Sequence, residues 1–379
     1  MLLGRAAVTL LGVIVTAVAF TIGVRTIPNL ETSPARVTGP LVSVIFAAKD
    51  EGPNIEQALG SMLAQSYELV EFIAVNDRST DDTGAVLERM AARDPRIRVV
   101  HIDDLPAGWL GKNHALHAGA AMAKGEYLLF TDADIVFDRD AIARAVPFME
   151  ARGIDHLTLG PQLDSASPLL ELAITYFTLG FFLLFKPWVV HDPARDEHVG
   201  IGAFNLVRAP LYRKFGGHER IALRPDDDIK LGRLVKLNGG RQMVAGGFGV
   251  IRVAWYANVM ELVRGLRKNT FAGMRYSVTM AVGAILMQLV VNIWPFIAVF
   301  VTSGATRWLN LATALLLVAL LALVSAGSRG RVWIAIGYPI AAVIFVFILI
   351  DSTWRTLRRG GIEWRGTFYS LAALKANDI

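Results

Sequence analysis

Apolar and polar positions alternate on two scales along this chain. On the coarse scale, Ala6 to Val24 is an uncharged, largely apolar run bracketed by Arg5 and Arg25, long enough for one bilayer crossing. No small-residue cleavage site follows it, so the run predicts a retained transmembrane helix over 1–25 rather than a signal peptide. Residues 26–40, with Pro28, Pro34 and Pro40 among mixed polar residues, read as a linker. Three further spans are expected at roughly 278–301, 308–326 and 332–350, followed by a basic tail over 351–379.

On the fine scale, residues 41–256 alternate short β-rich runs with helical stretches. LVSVIFAA is followed by NIEQALGSMLAQS, then VEFIAVND, a helix near 81–92, RIRVVHI, GKNHALHAGAAMA and EYLLFTD. Strand, helix, strand at this spacing predicts βαβ units in an α/β, mostly parallel sheet covered on both faces. Residues 168–190 interrupt this region with a run nearly as apolar as a span. A full crossing there would part the two halves of the domain, so an interfacial or re-entrant helix is expected. Residues 257–277 mix Leu262, Val263, Leu266 and Phe271 with Arg264, Arg267, Lys268 and Arg275, which predicts an amphipathic helix on an anionic headgroup surface.

Composition agrees with a membrane protein that also carries a large folded domain. The 379 residues are 54% hydrophobic and only 19% charged. The net charge of +5 does not argue for nucleic acid, because residues 1–277 hold 30 Lys+Arg and 30 Asp+Glu. With no cysteine, disulfides, thiolate metal sites and cysteine nucleophiles are excluded. The histidines show no metal-ligand spacing and read as surface or capping residues.

In open α/β sheets ligands bind beyond the carboxyl ends of the strands, so residues closing each strand carry the candidate chemistry. Asp77 closes FIAVN, where a carboxylate can accept hydrogen bonds from a base or ribose; the turn after it could equally be cap chemistry. Asp132 and Asp134 leave the end of YLLF one residue apart. Two such carboxylates repel unless a cation sits between them, and Mg²⁺ or Mn²⁺ bridging phosphate oxygens suits that place. Asp226, Asp227 and Asp228 precede a helical pattern and could simply favour its N-terminus.

Joined to SVIFAAKDEGPNIEQAL at 43–59, WLGKNHAL at 109–116, GIGAFNLVR at 200–208 and DDDIKLGR at 226–233, these features resemble the membrane-bound family 2 glycosyltransferases with a GT-A fold. The nearest branch holds ceramide glucosyltransferases and the hopanoid- and carotenoid-associated glycosyltransferases. The resemblance covers about 41–276, with an echo in GIEWRGTFY at 361–369. It implies nucleotide-sugar contacts from Glu51, Asp77, Lys112, Asp132, Gly202, Arg267 and Lys268. It implies metal ligation by Asp134 with Asp132, a general base at Asp228 and an acidic neighbour at Asp227. Lys49 and Asp50 stand where the family more often has Arg and Asn.

The implied activity is inverting transfer of one sugar from a nucleotide-sugar, UDP-sugar being the expected donor, to a hydroxyl of a lipid acceptor at the cytoplasmic membrane face. The family's processive synthases carry a Q/R-x-x-R-W signature; here Arg264-Gly265-Leu266-Arg267-Lys268 lacks the Trp, which favours a single transfer over a processive polysaccharide synthase. A non-catalytic nucleotide-sugar-binding subunit is the other alternative. One span before a cytoplasmic domain and three after it would put the basic tail outside, against the positive-inside tendency.

Overall fold

The computed structural model describes residues 2–377. Helix α1 (Leu2–Val24) matches the first apolar run. The expected alternation follows as β1 (Val42–Ala48), α2 (Gly52–Leu63), β2 (Val70–Asp77), α3 (Thr83–Ala91), β3 (Ile97–Ile102), α4 (Gly111–Met122) and β4 (Tyr127–Asp132). Next come β5 (Val136–Phe137), α5 (Ala141–Arg152), β6 (His156–Leu163), α6 (Pro168–Phe185), β7 (Asn205–Arg208), α7 (Ala209–Lys214), α8 (Asp227–Leu237) and β8 (Gln242–Val253). The chain ends in α9 (Val259–Gly273), α10 (Val278–Met287), α11 (Trp294–Val301), α12 (Gly304–Gly327), α13 (Tyr338–Arg359), a hairpin of β9 (Gly361–Trp364) and β10 (Thr367–Ser370), and α14 (Leu371–Ala376).

Two compact units result. Residues 27–162 and 187–254 form the first, and residues 2–26, 163–186 and 255–376 the second. The first is a mixed, mostly parallel sheet in the order β3-β2-β1-β4-β7-β6-β8-β5. Strands β1 to β4 pair in parallel, with Ala47 opposite Asp132 and Ala48 opposite Asn76, so their carboxyl ends finish level. Strand β7 runs antiparallel to both β4 and β6. A parallel sheet buried on both faces needs continuous apolar strands, and Val42, Val44, Ile45 and Phe46 are fully buried. Ile45, Ile73, Val75, Leu128 and Phe130 pack with Ala115 and Leu116 of α4 and Leu231 and Leu234 of α8. Gly119 lets α4 come this close, since a Cβ there would stand 2.6 Å from the Ile45 methyl. Each fully buried aliphatic of this core contributes about 1.5–3 kcal/mol.

Among the described residues, five helical stretches are long and apolar enough to cross a membrane: Leu2–Val24, Pro168–Val189, Val278–Val301, Gly304–Gly327 and Val332–Arg359. The third is α10 joined to α11 through a π-helical turn over 288–293, before Pro295. Proline removes a backbone donor and clashes with the preceding turn, which suits an irregular stretch there. Helix α9 packs its apolar side inside the second unit: Leu262, Val263 and Leu266 lie with Leu170, Ala173 and Ile174 of α6 and Ile348 of α13. Its start is a capping box, with Asn258 accepting from the Glu261 amide at 3.0 Å and Glu261 accepting from the Ala257 amide at 3.1 Å.

Candidate active site

The level ends of β1, β2 and β4 bring the expected acids to one edge of the first unit. After β1, Asp50 adopts a left-handed backbone (φ 54°), and its carboxylate accepts from the Thr80 amide at 2.7 Å. The Glu51 amide donates to Thr83 Oγ1 at 2.8 Å, so the turns after β1 and β2 are tied into one platform. Asp77 is buried at the end of β2 and is gripped by Arg78 through two bonds, 2.7 and 3.1 Å. Its carboxylate also lies against Gly111, where any Cβ would collide with it. That contact sets the first residue of α4 beside β2 and puts Lys112 one position further on.

Lys112 is the centre of the arrangement. Its Nζ lies 2.7 Å from Asp132 Oδ1 and 3.6 Å from Asp227 Oδ2. Burial opposes its charge, but Asp132, Asp227 and Asp228 outweigh that and hold the ammonium well above the usual lysine range. A small pocket here is lined by Lys112, Thr131, Gly202, His218, Asp227 and Asp228, among others. Three segments remote in sequence thus meet at one partly buried cation.

The three consecutive acids before α8 divide their work. Asp226 makes a bidentate pair with the buried Arg224, 2.9 Å for each bond, and faces no other task. Asp228 accepts from the Ile229 amide at 2.8 Å and from the Gly202 amide at 2.9 Å. Burial, and then Asp227, raises the Asp228 carboxyl to about 7. Gly202 itself sits hard against the β4 end, since a Cβ there would be 2.6 Å from Asp132 Oδ2. The Asp134 carboxyl is also pushed up to about 7, first by burial and then by Asp132 and Glu51. Among the described residues no group of three or more His, Cys, Asp or Glu side chains forms a ready metal cage. The acids present instead fit a hard cation that takes one or two carboxylates and completes its shell with phosphate and water, relieving the repulsion that raises Asp134.

Arg267 and Lys268 belong to the second unit and have partners there. Arg267 Nε donates to Asp351 Oδ2 at 2.6 Å, and Lys268 Nζ stands 3.7 Å from the centre of the Trp364 ring. Lys268 is thus covered by an aromatic ring of the β9–β10 hairpin.

Two histidines depart from the surface or capping role expected of them. His156 is fully buried and His218 is 1% exposed. The Tyr212 hydroxyl accepts from the His218 amide at 3.1 Å and lies 2.7 Å from His218 Nδ1. Burial, reinforced by Lys112 and His117, lowers the ring to about 3, so His218 lines the pocket as a neutral group. His156 joins Asn205 Oδ1 at 3.1 Å and Gln242 Nε2 at 2.6 Å; Gln242 also bonds both the amide and the carbonyl of Val199. Asn205 donates to the Ile201 carbonyl at 2.8 Å. This network fixes the loop 199–202 that delivers the Gly202 amide to Asp228. Polar residues inside strands β6, β7 and β8 were its only sequence signal.

Residues 43–168 match the family described as Glycosyl transferase family 2. The chain carries a family 2 glycosyltransferase domain. Among relatives of this glycosyltransferase, the 4,4'-diaponeurosporenoate glycosyltransferase of Staphylococcus aureus (strain bovine RF122 / ET3-1) is 23% identical over 342 residues, covering 87% of this chain and 88% of the relative. The enzyme of strain N315 is 23% identical over 355 residues, covering 91% and 92%. Among solved structures, the glycosyltransferase shares its fold with a mannosyltransferase from Pyrobaculum calidifontis in complex with GDP-Man and Mn²⁺. The TM-score is 0.55 at 18% identity, over 94% of this chain and 99% of that one.

Proposed function

We propose that this glycosyltransferase moves a single sugar from a nucleoside-diphosphate sugar, UDP-sugar being the expected donor, to a hydroxyl of a lipid at the cytoplasmic membrane face, with inversion. The reading rests on one observation above all: Lys112 is shared between Asp132 at the end of β4 and Asp227 at the start of α8, in a pocket that Asp228 also lines.

In the proposed step the acceptor oxygen bonds to the anomeric carbon as the bond from that carbon to the diphosphate oxygen breaks. The hydroxyl proton passes to Asp228, whose elevated pKa makes it a better proton acceptor near neutral pH than an ordinary carboxylate. The Gly202 and Ile229 amides orient that carboxylate, and Asp227 helps to keep its basicity high. Lys112 balances charge on the departing diphosphate, where the start of α4 adds backbone amides. Asp134, with Asp132, would hold Mg²⁺ or Mn²⁺, which supplies charge neutralisation for the diphosphate. Glu51 and Asp77 are assigned to the nucleoside end, Asp77 exchanging part of its Arg78 pairing for the ligand. Arg267 and Lys268 keep a phosphate assignment from the family resemblance alone.

Helix α6 is assigned to the interface rather than to a crossing. The support is β7, which lies after α6 in sequence yet pairs with β4 and β6 from before it, and a single complete crossing would separate them.

A second reading concerns the nucleophile. The Staphylococcus relatives are named for a carboxylate, 4,4'-diaponeurosporenoate. A carboxylate acceptor arrives without a proton and needs no base. The deciding experiment offers purified enzyme in lipid nanodiscs a panel of UDP- and GDP-sugars, with hydroxyl- or carboxyl-terminated apolar acceptors, and follows the products by mass spectrometry. A hydroxyl acceptor used by the wild type and lost in Asp228→Asn supports the main reading. Carboxylate transfer that survives Asp228→Asn supports the second. No turnover and no binding of any donor would overturn both.

A further inference from the structure

More than half of the second unit's positive surplus sits in two stretches. Residues 257–277 and 351–376 together hold nine Lys/Arg and three acids, a surplus of six, while the whole chain has a surplus of five. These stretches are far apart in sequence but joined in space. Besides the Arg267–Asp351 pair, the Phe271 amide donates to Ser352 Oγ at 3.2 Å, and that hydroxyl donates to the Arg267 carbonyl at 2.5 Å. With Lys268 over Trp364, α9, the last turns of α13 and the β9–β10 hairpin form one contiguous face.

The acids on this face already have work. Asp351 holds Arg267 and Arg355, Glu363 holds Arg359, and Glu261 closes the capping box of α9. Arg264, Arg358 and Lys375 are exposed and have no acidic partner among the described residues. Apolar side chains are exposed on the same elements: Trp354 of α13 is 64% exposed and Phe368 of β10 55%. Unpaired cations interleaved with exposed aromatics, next to apolar helices, match the chemistry of the headgroup region, where rings enter the acyl boundary and cations meet phosphates.

We propose that α9, the C-terminal end of α13 and the β9–β10 hairpin form one docking surface for anionic phospholipids, with Arg264, Arg358 and Lys375 on headgroup phosphates and Trp354 and Phe368 in the acyl boundary. A corollary concerns topology. Helix α9 and the basic tail occupy the same membrane face, so the chain crosses an even number of times between them, and one of the three apolar stretches over 278–359 does not cross. The clash between three crossings and a basic tail outside then disappears. None of this depends on the sugar-transfer reading.

Two measurements on the full chain test it. Because the protein contains no cysteine, Met260→Cys and Ala372→Cys report separately on α9 and the tail. Both should react with an impermeant maleimide from the same side of oriented membranes, and labelling from opposite sides overturns the proposal. In phosphatidylcholine membranes containing phosphatidylglycerol, lipid retained by the purified protein should be enriched in phosphatidylglycerol about threefold over bulk. The triple variant Arg264→Gln/Arg358→Gln/Lys375→Gln should fall to the bulk ratio. Arg93→Gln/Lys124→Gln/Arg220→Gln, which removes three exposed charges from the first unit, should keep the enrichment. A bulk ratio in the wild type, or undiminished enrichment in the first triple variant, refutes the docking surface.

Discussion

The catalytic unit buries two polar clusters built on opposite rules. Around Lys112, one ammonium faces Asp132, Asp227 and Asp228, and two carboxyls, Asp134 and Asp228, are driven to about 7. Around His156 every group is neutral, and each ring nitrogen has a partner. Low dielectric makes an incompletely balanced charge costly, whereas a fully bonded neutral network rigidifies its surroundings. Under the proposed function the first cluster is balanced by a ligand that supplies cations and phosphates, whereas the second is a brace for the loop beside it. Perturbed carboxyls in a pocket point to function more strongly than buried polarity does.

Substitutions should separate the two clusters. The largest effect is expected for Asp228→Asn, which should lower kcat by about 10²-fold or more with a hydroxyl acceptor while leaving the melting temperature nearly unchanged. In the wild type, kcat should rise with pH through about 7 as Asp228 ionises, and the rise should be absent from the residual activity of the variant. A variant that keeps wild-type kcat would remove the base from the mechanism. Next comes Gly202→Ala, whose methyl would press on Asp132 and disturb the amide that holds Asp228. A kcat loss of about 10-fold or more is expected from even a small misplacement, and an unchanged rate would show that the loop yields freely.

The brace should respond in stability instead. Gln242→Ala strands the Val199 amide and His156 Nδ1, at a cost of about 2–3 kcal/mol read by denaturant unfolding. Acid should act on the buried histidines of both clusters. His156 and His218 are lowered to about 4 and 3 by burial, so the unfolded chain takes up their protons below its ordinary histidine value of about 6.5 while the fold does not. The histidine contribution is fully present above that value and declines as pH falls towards 4, opposed over the same range by Asp134 and Asp228, whose raised carboxyls take up protons first in the fold. The two rings are therefore followed directly by NMR titration, and protonation of either in the fold above about pH 5.5 would contradict the buried neutral state. The smallest effect is expected for Trp364→Ala, which removes the ring beside Lys268 for about 0.5–1 kcal/mol.

The parts legible in the sequence were those encoded by local pattern. LVSVIFAA, VEFIAVND, RIRVVHI and EYLLFTD became β1 to β4 within a residue or two, because a buried parallel strand must be apolar on both faces and end in a polar turn. That Asp77 and Asp132 would share one sheet edge was legible because parallel strands end level, whereas Asp227 and Asp228, at the start of a helix, were singled out only by the family resemblance. The capture of Asp77 by Arg78 and of Asp226 by Arg224 was not legible, since a charge's partner depends on side-chain direction as well as on spacing. Nor was the burial of His156 and His218, which β7, β8 and α7 impose from distant parts of the chain. The contact of α9 with the tail was hidden for the same reason: Arg267 and Asp351 are 84 positions apart.

The position of β7 bears on how the enzyme is made. A chain synthesised from its N-terminus exposes β4 and β6 well before the strand that fits between them leaves the ribosome, and α6 emerges in the interval. Until residue 208 is available, two unpaired strand edges wait beside a nascent greasy helix, a state prone to mispairing. Translation products ended before Asn205 should accordingly be protease-sensitive, and engagement of α6 by the insertion machinery becomes part of finishing the catalytic sheet.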